Sequence, residues 1–332
     1  MLPVMRAVLC IAPVAAMSLL ILCACKPVAP ATSHPSKDAR NESEREQESA
    51  KNRRFHEVRA KATDGDAASQ VRLGAMYALG EGVAKDESEA VKWYRQAAEQ
   101  GNAEGQYFLG ASYSGGQGVQ KDQAMAAKWF LKAADQNHSE AQLNLGAMHA
   151  IGTGVPISDS EAVKWYRKAA EQHHAEAQRL LGIMYAEGRG VAKDDVEAVS
   201  WWKKAAGQKD ADAEFKLGMM CATGRGIAKD ETEAQMWWRK SAEHGNAEAQ
   251  VVVGYMYADG EGVPRSEATA FKWFLMAAKQ NHPTAEFTVG TMYASGEGVE
   301  RNDSEAVHWY RKAAEQNHAD AQHNLGLMYA NG

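Results

Sequence analysis

Tryptophan recurs at positions 93, 129, 165, 201, 237, 273 and 309, every 36 residues and without an insertion. A spacing held this strictly marks a repeat array, in which each unit is one supersecondary element that cannot bury its apolar face alone and must stack on its neighbours. Glycine keeps the same period at 74, 110, 146, 182, 218, 254, 290 and 326, and a glycine pair recurs from Gly80/Gly82 to Gly296/Gly298. Seven full units run from Ala67 to His318 (67–102, 103–138, 139–174, 175–210, 211–246, 247–282 and 283–318), and the sequence stops inside an eighth, 319–332.

Each unit reads as two short helices. In the third, Ala141, Leu145 and Met148 recur at helical spacing beside Gly146, and Gly152-Thr153-Gly154 ends that helix. The second helix opens on a capping box: Asp86 with Glu89, Ser158 with Glu161, Asp194 with Glu197, Asp230 with Glu233 and Asn302 with Glu305. The second and sixth units carry Met125 and Thr269 in place of the acid, so their helix starts are expected to fray more. Ala162, Trp165 and Ala169, flanked by Val163, Tyr166 and Ala170, then form a broad apolar face. Gly101, Asn137, Gly245, Asn281 and Asn317 suit the left-handed closing position, whereas His173 and Lys209 suit it less. The glycine at 74 and its equivalents is best explained by close helix approach. The pattern predicts an all-α chain, an α/α superhelical solenoid of seven full helix-pair repeats plus terminal half-repeats.

The motif A-x-x-x-L-G-x-M-Y-A-x-G-x-G-V…E-A-V-K-W-Y-R-K-A-A-E-Q resembles the Sel1-like repeat family, a relative of tetratricopeptide repeats distinguished by its G-x-G-V loop and a longer unit. The resemblance covers residues 67–332. It implies a right-handed superhelix of helix pairs that serves as an adaptor or assembly platform.

Ahead of the repeats, Arg6 is followed by an uncharged stretch from Ala7 to Leu22, too short and too interrupted at Pro13 for a membrane span. It reads as a signal peptide, residues 1–24. Leu22-Cys23-Ala24-Cys25 resembles the bacterial lipobox and nominates Cys25 for lipidation; a plain secretory signal cleaved near Ala24 is the alternative. By the same resemblance, Lys26 rather than Asp after the anchor points to the outer membrane. Residues 25–41, with Pro27, Pro30 and Pro35, read as the anchor site and a disordered tether, and 42–66 as a charged N-terminal capping helix with Glu57 in the tryptophan column. At the other end the half-repeat is either a natural cap or the edge of a fragment. Once Cys10 and Cys23 leave with the signal and Cys25 is modified, Cys221 alone remains in the body, so no intramolecular disulfide framework is expected.

Comparing units within the chain separates positions the scaffold needs from positions left free. On the first helix the columns of Leu73, Gly74, Met76 and Ala78 barely change. Those of Val71, Ala75 and Leu79 change freely, and their i, i+4, i+8 spacing puts them on one stripe. Resemblance to tetratricopeptide repeats would place that stripe on the concave surface. Tyr107, Arg179, Phe215, Tyr255 and Phe287 are the candidate partner anchors, being aromatic or Arg; packing between repeats is the competing reading of the same residues.

A net charge of -6 lacks the clustered Lys/Arg excess that phosphate neutralisation requires, which argues against nucleic acid. The column His138, His174, His282 and His318 could suggest metal, yet equivalent residues of stacked helices lie on the order of 10 Å apart, so helix capping or solvent contact is expected. Ser200-Trp201-Trp202-Lys203 fits the S-x-x-K motif of penicillin-recognising enzymes, but Ser200 stands in the column of exposed Lys92 and no K-T-G follows. No catalytic residue, cofactor, metal or small-molecule substrate is therefore expected. The sequence points to an envelope-tethered protein-interaction scaffold, held to the membrane by its lipid anchor, that binds envelope proteins; a secreted or displayed host-interaction factor is the alternative, and a β-lactam-binding hydrolase the more distant one.

Overall fold

The computed structural model describes residues 37–331, with side chains from 50 to 330. The signal-peptide segment, Cys25 and the tether up to residue 36 lie outside the described residues. Sixteen helices and no strand are found among those described. The first, α1 (Lys37–Thr63), precedes the repeats. Each repeat then supplies an A helix and a B helix. The A helices are α2 (Ala67–Leu79), α4 (Ala103–Gly115), α6 (Ser139–Ile151), α8 (Ala175–Glu187), α10 (Ala211–Thr223), α12 (Ala247–Asp259), α14 (Pro283–Ser295) and α16 (Ala319–Asn331). The B helices are α3 (Glu87–Glu99), α5 (Gln123–Asp135), α7 (Asp159–Glu171), α9 (Asp195–Ala206), α11 (Glu231–Glu243), α13 (Glu267–Ala278) and α15 (Asp303–Glu315). They form two compact units that divide between Ser158 and Asp159, and within each unit every helix packs on the next in sequence. No described helix is long and apolar enough to cross a membrane.

α1 begins at Lys37 rather than at Glu42, so residues 37–41 of the segment read as tether are helical. Lys37, Ala39 and Arg40 are good helix formers and Asp38 suits a first turn. Farther along, α1 buries Phe55, Val58 and Ala62 against Leu73 and Met76 of α2. It thereby supplies the first A helix with the apolar surface that a preceding B helix supplies elsewhere.

The boundaries follow from local chemistry. B helices start where Asp86, Asp122, Asp194, Asp230, Ser266 and Asn302 accept first-turn backbone N–H groups. Asp122 and Ser266 do so without the acid of the capping box; Ser266 Oγ instead meets Thr269 Oγ1 at 2.8 Å. The chain turns back to the next A helix through a left-handed residue. His173 (φ 63°) and Lys209 (φ 64°) adopt this conformation although neither is glycine or asparagine, each at a cost of about 1–2 kcal/mol.

The glycine column is a packing requirement. A Cβ on Gly74 would lie 2.5 Å from the Tyr94 ring, and one on Gly110 2.8 Å from Phe130; Gly254 and Gly290 face Phe274 and Tyr310 in the same way. In the loops, the second glycine of every pair but Gly260/Gly262 is held twice over, by its φ and by a backbone carbonyl. Gly118 has φ 68° and would overlap the Glu87 carbonyl, which opens the B helix of the preceding repeat, and Gly226 stands likewise over Asp195.

A buried glutamine latch ties consecutive repeats together. Gln70, Gln106, Gln142, Gln178 and Gln250 lie at 0–5% exposure. Each donates through Nε2 to the carbonyl of Ala62, Ala98, Ala134, Ala170 or Ala242, at the end of the preceding helix, over 3.0–3.3 Å. Four of them also accept from a glutamine ending their own B helix: Gln100 to Gln70, Gln136 to Gln106, Gln208 to Gln178 and Gln280 to Gln250, at 2.7–2.9 Å. Each of these carbonyls also accepts the backbone N–H three residues on, at 3.0–3.1 Å, so the glutamine adds a second bond to it and in doing so satisfies its own buried amide. Two repeats substitute an acid. Glu214 pairs with His244 at 2.7 Å, and Glu286 accepts from Gln316 at 2.7 Å with Lys312 Nζ 3.3 Å from its other oxygen.

Candidate protein-binding surface

The variable stripe of the A helices is graded in burial rather than uniformly open. The column of Val71 is its inner edge: Val71, Tyr107 and Val251 are buried, while Leu143, Arg179, Phe215 and Phe287 are half-buried. The column of Ala75 is intermediate, opening at Met219 (37%) and Tyr255 (44%), and the column of Leu79 is exposed, including Ile151 at 42%.

The five candidate anchors therefore differ from one another. Tyr107 corrects the expectation of a surface anchor: it is 5% exposed and its ring stacks on His138, 4.6 Å between centroids. Phe287 stacks on His318 at 4.7 Å, and Phe215 packs against the cluster of Ala242, Ala249, Val253 and Met256. Arg179 reaches Asp210 at 3.3 Å, Glu176 at 3.4 Å and Asp212 at 3.7 Å. Tyr255 stands open, its inner edge against Phe274 at 5.0 Å. Four of the five lie in the unit of residues 159–331, on four successive A helices, and Tyr107 lies in the other unit.

Part of the inner column is covered by the next repeat. His138, Asp210 and His318 are the residues just before the next A helix, 31 positions after Tyr107, Arg179 and Phe287. His138 and Asp210 cap that helix with the same side chains that meet the column. At these three junctions the variable side chain is covered by its neighbour, a ring by His and the guanidinium by Asp.

What remains accessible is a strip made of the columns of Ala68, Arg72, Ala75 and Leu79, spaced i, i+4, i+7 and i+11 on one face. Across α8, α10 and α12 it presents Leu180, Ile183, Met219, Val252 and Tyr255. Leu180 and Val252 belong to a column that the sequence comparison passed over.

The other motifs take structural places. His138, His174, His282 and His318 each accept the third backbone N–H of the following helix at 3.3–3.4 Å, which is N-capping. Burial pushes His138 below the usual imidazole range, against the pull of Glu140 and Glu104. Ser200 and Lys203 are exposed on α9, while Trp201 and Trp202 between them are buried. Cys221 is fully buried, and burial raises its thiol pKa. On the outer face of the B helices, Lys132, Lys168, Lys204, Lys240 and Lys312 lie 3.6–4.9 Å from the centroid of the tryptophan three residues earlier.

Comparison with known proteins agrees with this construction. The Sel1 repeat profile matches residues 67–102, 103–138, 139–174, 175–210, 211–246, 247–282, 283–318 and 319–332. Among solved structures the chain is similar to a Sel1 repeat protein from Oxalobacter formigenes, with 36% identity, a TM-score of 0.72 and coverage of 82% of this chain and 79% of that one. It is also similar to c5321, described as a protective antigen present in uropathogenic Escherichia coli strains displaying an SLR fold, with 34% identity, a TM-score of 0.51 and coverage of 83% and 67%. No curated protein matches significantly. On its repeats, their register and these relatives, the chain belongs to the Sel1 repeat family.

Proposed function

We propose that this protein is an envelope-tethered scaffold that holds partner proteins along the exposed strip of its A helices. Sel1 repeat proteins are in general protein-interaction scaffolds. The observation that carries the finer reading is the open apolar row Leu180, Ile183, Met219, Val252 and Tyr255, which crosses three consecutive repeats and has two members more than a third exposed. Tyr255 is the residue of this row best suited to anchor a partner, being large, amphipathic and backed by Phe274. Cys25 is the lipidation site of this reading, and a tethered scaffold raises the local concentration of whatever it binds.

The test is photo-crosslinking in intact cells from Met219, Tyr255 and Ile151, with Lys92 and Lys164 as controls on the exposed B-helix face (side chains 66% and 56% exposed). A discrete protein adduct from the strip and none from the controls supports the scaffold; adducts from the controls alone move the binding surface to the outer face. For the tether, Cys25→Ser should shift the protein from the membrane to the soluble fraction, and unchanged fractionation would refute lipidation. A second reading, display toward a host, draws on the description of c5321 as a protective antigen. It predicts that protease added to intact cells degrades the repeats, whereas a periplasm-facing protein survives.

A further inference from the structure

Along α8, α10 and α12 the strip is apolar in its middle and acidic on both sides. One edge carries Glu176, Asp212 and Glu248 in the first turns, with side chains 52%, 55% and 65% exposed. The other carries Glu187 and Asp259 at the last residues of their helices, both exposed. The two edges stand eleven residues apart along each helix, about 16 Å at 1.5 Å per residue.

The first edge is continuous from repeat to repeat. Arg179 of α8 bridges Glu176 to Asp210 and Asp212 at the start of α10, and Asn246 at the start of α12 donates to Asp212 at 2.7 Å. His282 then reaches Glu248 at 3.2 Å, and that contact holds the Glu248 carboxyl below its usual range, so it is ionised at neutral pH. Glu176, Glu187, Asp210, Asp212, Glu248 and Asp259 thus surround the apolar row; Lys216 opposes them on the strip, Arg179 beside it on the inner column, and Arg189 and Arg265 next to Glu187 and Asp259.

Helix electrostatics accounts for half of this arrangement. Acids in a first turn are stabilised by the helix dipole, but Glu187 and Asp259 sit at the opposite ends, where the dipole disfavours them. Arg189 reaches Glu187 only at 3.8 Å and gives its shorter contact, 2.7 Å, to Asp159. Arg265, which lies near Asp259, is drawn more tightly to Glu267, so these two acids are only partly offset.

We propose that the strip on α8, α10 and α12 receives a cationic amphipathic segment of a partner protein, its apolar side chains on Ile183, Met219 and Tyr255 and its Lys/Arg side chains reaching the two edges. This rests on the scaffold reading and names the chemistry of the partner. An acidic segment meets like charge along both edges, and a nucleic acid does so along its whole length.

The test is fluorescence anisotropy on the full-length chain with three labelled synthetic peptides: one alternating Lys and Leu, the same with Glu for Lys, and the same with Ser for Leu. The Lys/Leu peptide is expected to bind most tightly. Glu176→Lys with Glu248→Lys should weaken it roughly tenfold in low salt, an effect that shrinks as the Debye length falls below about 10 Å. Tyr255→Ser should weaken it at every salt concentration. All three positions are exposed, and circular dichroism checks that the variants are folded. If the Glu/Leu peptide binds as tightly as the Lys/Leu peptide, or the charge reversal changes nothing, the cationic partner is refuted while the strip remains a binding surface. If no peptide binds and the strip gives no adduct in cells, both this inference and the scaffold reading fall.

Discussion

Gln250→Glu exchanges one NH2 group for oxygen at a side chain that is 1% exposed, and the glutamine latch makes its cost calculable. Gln250 donates to the Ala242 carbonyl at 3.2 Å and accepts from Gln280 at 2.9 Å. The acid keeps the second contact and loses the first, leaving two acceptors face to face. Repeats that carry an acid here supply it with a partner, His244 for Glu214 and the cation Lys312 for Glu286. The equivalent positions near Gln250 are Met276 and Gln280, so an introduced carboxylate has no counter-charge from that helix. An uncompensated buried charge costs about 3–5 kcal/mol. The site escapes part of that by protonating, after which the carboxyl can donate to Ala242 as the amide did.

The sign of the pH dependence follows. The introduced group is a carboxyl whose folded pKa is raised above its unfolded value, near 4.3. It carries no penalty below that value, because both states are then protonated, and it loses stability as pH rises toward the folded pKa. The expected loss is about 3 kcal/mol at pH 7 and under about 1 kcal/mol near pH 4. Tryptophan-fluorescence urea titrations at both values measure the difference, with hydrogen exchange of α12 amides reporting whether the loss is local. Gln322→Glu, at an exposed latch position, is the control and should change stability by less than about 0.5 kcal/mol. Equal stability of Gln250→Glu and the parent chain at pH 7 would refute the latch as a buried, obligatory contact.

The reverse exchange, Glu286→Gln, restores the amide donor of the other latch positions but gives up the ion pair of Lys312 with the one carboxylate oxygen that lacks a hydrogen bond, so the two effects offset and stability in the same titration should change by less than about 1 kcal/mol. Lys209→Gly relieves a lysine at φ 64° and should raise stability by up to about 1 kcal/mol, a gain reduced by the entropy of the glycine; a loss would show that the lysine side chain contributes more than its backbone costs. Gly118→Ala combines a left-handed φ with overlap of the Glu87 carbonyl and should destabilise by more than about 2 kcal/mol, read as a lowered urea midpoint. The cap at His138 requires neutral Nδ1, and its folded pKa is depressed by burial. Its contribution is therefore present above the unfolded imidazole pKa of about 6.5 and is lost as pH falls through the lower folded value. His138→Asn, which caps at any pH, should flatten the stability profile below about pH 6.5.

Much of the architecture is legible in the sequence because its causes are local and are repeated. A tryptophan every 36 residues, a glycine where an aromatic ring of the partner helix passes, and Asp, Asn or Ser just before each B helix all recur in register. Each carries its physical reason within one unit, so the array itself provides the comparison that a single domain lacks. The His column, read as helix caps or solvent contacts, belongs to the same class, since an N-cap is defined within four residues.

The surface was less legible, for a reason that lies between units. Variation at Tyr107, Arg179 and Phe287 signals freedom, but whether a free position faces solvent or a compensating neighbour depends on what the next repeat places over it. Stacking put His138 and His318 on the two rings and Asp210 on the guanidinium, burying Tyr107, and left Tyr255 open. Tertiary structure likewise revealed that the second loop glycine clears a carbonyl of the preceding repeat, and that a run of polar glutamines is buried. Periodicity thus determined the helices, their ends and their repeat; only the stacking of one repeat on another decided which variable side chains are surface, because burial at a junction is a property of two units together.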